Sequence, residues 1–328
     1  MPKQPNYPAH ISLALRPTPI EPLPRLSKHL GGPEIYVKRD DLTGLATGGN
    51  KTRKLEFLIA DALAKDCDHL VTIGSIQSNH CRQTAAAAAK MGLGCTLILR
   101  GSPPQTAVGN LLIDQLLGAH IYWAPDKETA PTIVEEVIQE LKTLGRTPYL
   151  IPYGGSNVMG ATGYVLAMQE LNQQLDQLNL NIDFILTASS SGGTQAGMVV
   201  GAHAYQIRSQ ILGISIDQSA SNLKAQVGAL ATATATHLGL DTLAANDLVN
   251  ANDDYLGEGY AIVGEQEQEA IQLTAQKEGL LLDPVYTGRA MAGLIDLIRW
   301  GAFTRRQTVL FWHTGGTAAL SAFAPHLQ

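Results

Sequence analysis

Short apolar runs that alternate with helix-period patterns constrain this chain most. Runs at 35–38, 70–73, 95–99, 120–123, 149–151, 184–187, 211–216 and 308–312 read as strands. Most lead into a loop containing Gly or Ser and then into a helical stretch. That alternation predicts an α/β fold with mostly parallel sheets. Ligands in such sheets bind at the carboxyl ends of strands, on the loops that enter helices. Functional residues are therefore expected in those loops.

At 328 residues there is room for roughly two domains and a large core. No linker, repeat or low-complexity tract separates two halves, so a second domain would have to be inserted into the first. The alanine run 85–89 reads as a helix interior closed by Gly92, and the proline-rich segment 17–24 as an extended N-terminal arm. A net charge of −6 argues against nucleic acid or an anionic membrane as the main partner. Cys67, Cys81 and Cys95 lack metal-ligand spacing and are odd in number, so no metal site and no disulfide framework is expected. The N-terminus shows no apolar signal region and no apolar segment is long enough to span a membrane, which makes the cytoplasm the expected location.

Within this frame one stretch stands out: Thr47-Gly48-Gly49-Asn50-Lys51-Thr52-Arg53-Lys54. The glycines let the backbone turn tightly and approach a ligand. After Lys51 come Leu55, Leu58, Ile59, Ala62 and Leu63 at helical spacing. Lys51 is thus expected at a loop-to-helix junction, a position suited to a reactive amine or an anion-binding group. It is not a P-loop, because Asn50 separates Gly49 from Lys51-Thr52.

Three further segments carry chemistry. Gln77-Ser78-Asn79-His80 follows a strand, with Ser78 placed to cap the alanine-rich helix and to help form a carboxylate or phosphate site. His80 by itself reads as structural. Ser189-Ser190-Ser191-Gly192-Gly193-Thr194 sits at a strand-to-helix turn and presents backbone N–H groups to one anion, although it is not a dinucleotide fingerprint. Near the C-terminus, Asp283-Pro284-Val285-Tyr286-Thr287 precedes a helix with Met291, Leu294, Ile295 and Ile298 inward. His313-Thr314-Gly315-Gly316 follows the last strand, and Tyr260 lies just after Gly257-Glu258-Gly259.

A lysine, a phosphate-binding loop, an amide and hydroxyl cluster and a hydroxyl at a sheet end together make a pyridoxal phosphate (PLP) site. With these motifs and Lys38-Arg39-Asp40-Asp41-Leu42, the chain resembles, from end to end, the aminocyclopropane-carboxylate deaminase / D-cysteine desulfhydrase family. That family lies within the tryptophan-synthase-β-like, fold type II PLP enzymes. The resemblance implies two open parallel-sheet domains with PLP in the cleft between them, a large one over 1–52 and 163–328 and a small inserted one over 53–162. Lys51 would carry PLP, Asn79 would bond the ring O3′, and Ser191, Gly192, Gly193 and Thr194 would bind the phosphate with Lys54. Gln77, Ser78 and Asn79 would bind the substrate carboxylate, while Tyr260 and Tyr286 would flank ring and substrate. Lys51, Ser78, Tyr260 and Tyr286 are the implied catalytic set, and a homodimer with complete active sites is the implied assembly.

One position divides the resembling proteins. Cyclopropane-opening deaminases carry glutamate after the tyrosine that matches Tyr286, where this chain has Thr287. Desulfhydrase-like members share Tyr-Thr-Gly, and Thr314 would then face the ring nitrogen. The implied activity is β-elimination from D-cysteine. L-Cysteate or another β-substituted alanine is the alternative substrate, and aminocyclopropane-carboxylate deamination ranks lower. A non-catalytic small-anion binder is the reading from a different class, and the presence of Lys51 weighs against it.

Overall fold

The computed structural model describes residues 3–241 and 245–327. Its strands are β1 (Ile20–Pro22), β2 (Glu34–Arg39), β3 (His69–Ser75), β4 (Gly94–Arg100), β5 (His120–Ala124), β6 (Pro148–Leu150), β7 (Phe184–Ser189), β8 (Gln210–Ser215), β9 (Asn250–Asn252) and β10 (Thr308–His313). They form a six-stranded sheet in the order β1-β2-β10-β7-β8-β9 and a four-stranded sheet in the order β5-β4-β3-β6. Every described pairing is parallel except that of β1 with β2.

All the strands expected from apolar runs are present. The two that were not expected, β1 and β9, are three-residue edge strands. β1 lies inside the arm expected to be merely extended, and its Pro22 is tolerated because an edge strand has one unpaired side. β9 is Asn-Ala-Asn and offers no apolar pattern to read.

Each sheet is buried on both faces, as parallel strands require. Alternate residues of β7 and β10 separate the two cores of the larger sheet. Ile185, Leu310 and Trp312 face the helices Val158–Leu178, Gly193–Ala204 and Ala220–His237; Leu186, Val309 and Phe311 face Pro24–Leu30, Glu265–Glu278 and Thr287–Arg299. On the smaller sheet, Leu70 and Leu97 meet Leu55, Leu58 and Ala85 from the helices Lys51–Ala64 and Asn79–Met91, and Val71 and Ile98 meet Val134 and Val137 on the opposite face. Leu63, at the end of the apolar stripe after Lys51, is 36% exposed and lies outside that core. The alanine run lies in the helix Asn79–Met91, which Gly92 closes in the left-handed conformation.

A buried ionic network ties the first strands to the helix that starts at Lys51. The Asp40 carboxylate accepts from Arg53 Nε at 2.9 Å and Nη2 at 2.8 Å, from Tyr164 Oη at 2.6 Å and from Trp312 Nε1 at 2.8 Å. Glu170 pairs with Lys38 at 2.6 Å and with Arg53 at 2.9 Å. The Lys38-Arg39-Asp40 motif thus holds β2 against two helices, with its buried charges mutually paired.

Candidate active site

The carboxyl ends of β2, β3, β6, β7 and β10 converge on one cleft. Its walls include Asn50, Lys51, Ser78, Asn79, His80, Tyr153, Gly154, Ser189 to Gly192, Thr194, Tyr286 and Thr314, around roughly 610 Å³ of space.

Lys51 is the first residue of its helix. The loop before it is pinned from several sides. Gly48 has φ +71°, and a Cβ there would stand 1.9 Å from the Asp41 carbonyl oxygen, so only glycine fits. Asn50 N donates to Thr314 O at 2.9 Å, and Asn50 Nδ2 to Thr194 Oγ1 at 3.0 Å. Burial alone pulls the Lys51 amine down from its ordinary value to about 8. At pH 7 roughly a tenth is therefore the uncharged, nucleophilic form, far more than for an ordinary lysine.

Behind Lys51 lies an anion cradle. Gly192, in the left-handed region at φ +80°, starts the helix Gly193–Ala204 and aims its first turn at the cleft. Ser191 Oγ is 2.8 Å from Ser156 Oγ, and Gly193 N donates to Ser156 Oγ at 3.2 Å. Lys54 Nζ reaches Gly154 O at 3.1 Å and Ser156 Oγ at 3.2 Å. Lys54 is only 1% exposed and forms no salt bridge among the described residues. Burial, with the neighbouring Lys51 adding to it, holds its amine well below the ordinary value. An anion held by this helix N-terminus and these serine hydroxyls would favour the charged form of Lys54 and pair it. The donor set fits a phosphate monoester.

The opposite wall is set by a brace that the sequence did not reveal. Arg82 donates to Asn79 Oδ1 at 2.9 Å, to Asn110 Oδ1 at 2.6 Å and to Gly48 O at 2.8 Å. Asn110 Nδ2 donates to the same Asn79 Oδ1 at 2.8 Å. With its oxygen claimed twice, Asn79 presents its amide N–H₂ as a donor. Ser78 caps the next helix by accepting from Cys81 N at 3.1 Å, as its residue type predicted, and lines the cleft as well. Gln77 does not line the cleft; its amide oxygen accepts from Asn110 N at 2.8 Å and its nitrogen donates to Val108 O at 3.0 Å. The Thr72 hydroxyl donates to Ile151 O, so His80 Nε2 carries the hydrogen it gives to Thr72 at 3.0 Å, and Nδ1 is left bare. Burial holds His80 far below its usual value, so it is neutral.

Tyr286 closes the cleft. Its hydroxyl is 2.8 Å from that of Tyr260, which is 3.2 Å from Ser75 Oγ. Burial pushes both phenols above their ordinary range, so both are neutral O–H groups at physiological pH. Thr287 points elsewhere: its hydroxyl donates to Asp283 Oδ1 at 2.8 Å and accepts from Asp283 N at 2.8 Å. Thr314 lines the cleft at the end of β10. Asn50, Tyr153, Gly154, Ser156, Arg82 and Asn110 are the residues of this arrangement that sequence reasoning did not assign.

The comparisons with known proteins converge on the same chemistry. The family model for pyridoxal-phosphate dependent enzymes matches residues 11–315. The chain belongs to this family. Its cofactor is pyridoxal phosphate, and its two-sheet α/β architecture is fold type II. Among curated relatives, the D-cysteine desulfhydrase of Klebsiella pneumoniae strain 342 is 44% identical over 316 residues, 95% of each chain. A protein of the same name from a second K. pneumoniae strain is 45% identical over the same length. A crystal structure described as an ACC deaminase homologue superposes with a TM-score of 0.89 at 36% identity, covering 99% of this chain and 96% of that one. Threonine deaminase isoform 2 from Solanum lycopersicum, at 16% identity and TM-score 0.68, shares the fold over 95% of this chain and 83% of its own. No helix among the described residues is long and apolar enough to cross a membrane.

Proposed function

We propose that this PLP enzyme is a D-cysteine desulfhydrase, a carbon–sulfur lyase that converts D-cysteine and water into pyruvate, ammonia and hydrogen sulfide. The observation that carries the reading is the 44–45% identity, over 95% of the chain, to relatives of that name.

Bound PLP supplies an electron sink next to the substrate Cα, which makes that proton removable. Lys51 would anchor the cofactor, and its amine would take the Cα proton on Nζ; its lowered pKa favours the neutral amine for both tasks. Ser191, Gly192, Gly193, Thr194 and Lys54 would hold the phosphate, and Ser156 would join them through its bonds to Ser191 and Lys54. Asn79 would have its amide hydrogens free for the cofactor's O3′, because Arg82 and Asn110 occupy its oxygen. Thr314, which lines the cleft, would offer the ring nitrogen a neutral hydroxyl partner.

On the substrate side, Ser78 and the first turn of its helix receive the α-carboxylate. Gln77 holds the Val108–Asn110 backbone that frames this turn. The Cβ–S bond breaks with its electron pair on sulfur. Tyr286 and Tyr260, both protonated and bonded to each other, would be the proton donors to it. The proposed small domain, 53–162, draws support from β3 to β6, which all fall between His69 and Leu150. Family resemblance supports a cytoplasmic homodimer, and light scattering tests the dimer.

A panel of D- and L-β-substituted alanines, scored by pyruvate, tests the activity. The reading predicts highest kcat/KM for D-cysteine. Faster turnover of an L-substrate, or 2-oxobutyrate from aminocyclopropane carboxylate as the dominant product, would replace it.

A further inference from the structure

We propose that Arg100 determines specificity by reading negative charge on the β-substituent of the substrate, an inference that rests on the desulfhydrase reading above. β4 ends at Arg100, and the parallel register sets it beside Ser75, the last residue of β3. Ser75 starts the hydroxyl chain through Tyr260 to Tyr286. The Arg100 guanidinium lies 5.2 Å from the centre of the Tyr153 ring. Tyr153 lines the Lys51 cleft and also the adjoining opening, where Arg100, Ser75 and Tyr260 meet.

Among the described residues Arg100 makes no salt bridge and no hydrogen bond, and its Nε is sealed from solvent without a partner. The deeply buried arginines differ from this half-buried one: Arg53 meets Asp40 and Glu170, Arg82 meets Asn79, Asn110 and Gly48, and Arg289 meets Glu267. The remaining charged groups of the opening are Lys127 and Asp217, and Asp217 accepts from Ser190 Oγ at 2.7 Å.

A guanidinium is a planar fork of donors matched to an oxyanion or a thiolate, and half-buried without one it is poorly solvated. The cofactor phosphate is met by Lys54 and the Ser191 turn, and the α-carboxylate by the Ser78 turn. The substrate's remaining end is its β-substituent. During elimination the Cα proton goes to Lys51 Nζ and the Cβ–S pair goes to sulfur, so negative charge grows at that end. Arg100 stabilises it without giving up a proton. The ligand class is a D-amino acid with an anionic group on Cβ: thiolate, sulfonate or carboxylate.

Calorimetric titration of the holoenzyme with D-aspartate and D-asparagine tests this, because the pair differs in charge and hardly in shape, and neither has a thiol to eliminate. Wild type is expected to bind D-aspartate at least tenfold more tightly than D-asparagine. Arg100→Gln should bring the two within about twofold by weakening D-aspartate alone, and Arg100→Lys should retain part of the preference. No preference in the wild type, a preference unchanged by Arg100→Gln, or equal loss of both ligands would overturn the assignment. D-Cysteine turnover by the same preparations separates the two readings. Wild-type turnover with an unchanged ratio refutes the role of Arg100 alone; wild type inert to D-cysteine refutes the underlying activity too.

Discussion

Lys51 and Ser78 both line the cleft, and the proposed function gives them different tasks. Lys51→Ala removes both the anchor and the Cα base. The phosphate contacts remain, so PLP binding persists while elimination collapses. Ser78→Ala removes one hydrogen bond to a charged group, worth about 1.5–3 kcal/mol, and should lower kcat/KM by roughly one to two orders of magnitude. Its lost cap should also lower stability by about 1 kcal/mol, visible in thermal melting. A folded, PLP-loaded Ser78→Ala protein as inactive as Lys51→Ala would mean that Ser78 does chemistry. The lowered Lys51 pKa gives a second prediction. Only the neutral amine attacks the cofactor, so the rate of PLP capture by apoprotein, followed by visible absorbance, should rise with pH up to about 8 and level off above it. A rate still climbing through pH 10 would show an unperturbed lysine. These residues were legible because they occupy strand-to-helix turns with unusual local composition. Arg82 and Asn110 were not: they brace Asn79 from 3 and 31 residues away, and no local pattern records such a contact.

At the scale of elements, the site is a set of turns at the carboxyl ends of parallel strands, each fixed by its own local rule. The turn before Lys51 depends on Gly48. Gly48→Ala would place Cβ against Asp41 O and force alanine to φ +71° with ψ −178°, a conformation essentially confined to glycine that costs about 1–3 kcal/mol before the overlap is counted. The variant should melt earlier and purify with less cofactor; an unchanged melting point and full PLP content would contradict the geometry. The turn after β6, Tyr153–Gly155, brings Gly154 to Lys54, with Ser156 following. Its Gly-Gly-Ser sequence after an expected strand resembles the other anion-binding turns and could have been recognised. The edge strands β1 and β9 were less accessible, since three residues carry too little periodicity to distinguish a strand from an arm. Thr287 was legible only in part. Its position after Tyr286 separates desulfhydrase-like members from the deaminases, with Thr314 expected at the ring nitrogen instead, and the sequence did not show that the Thr287 hydroxyl serves Asp283.

At the scale of the molecule, the buried ionic network couples the larger sheet to the helix that carries Lys51. Burial would raise the Asp40 pKa, but Arg53 and then Lys38 outweigh it and hold the carboxyl at about 2. Its unfolded value is about 3.9. A carboxylate with a depressed native pKa stabilises fully above the unfolded value and loses that contribution as pH falls from about 4 to about 2. Arg53→Met would leave Asp40 buried without its main partner and should cost about 3–5 kcal/mol, read as a lower urea midpoint, with the acid-unfolding midpoint moved to higher pH. Equal stability of variant and wild type would mean that the network is dispensable.

The most direct measurement is the release of sulfide and pyruvate by purified, PLP-loaded protein supplied with D-cysteine or L-cysteine, with Lys51→Ala alongside. The prediction is equimolar sulfide and pyruvate, formed faster from D-cysteine than from L-cysteine, and neither product from Lys51→Ala. Turnover of neither enantiomer by the wild type, or undiminished turnover by the variant, would contradict it.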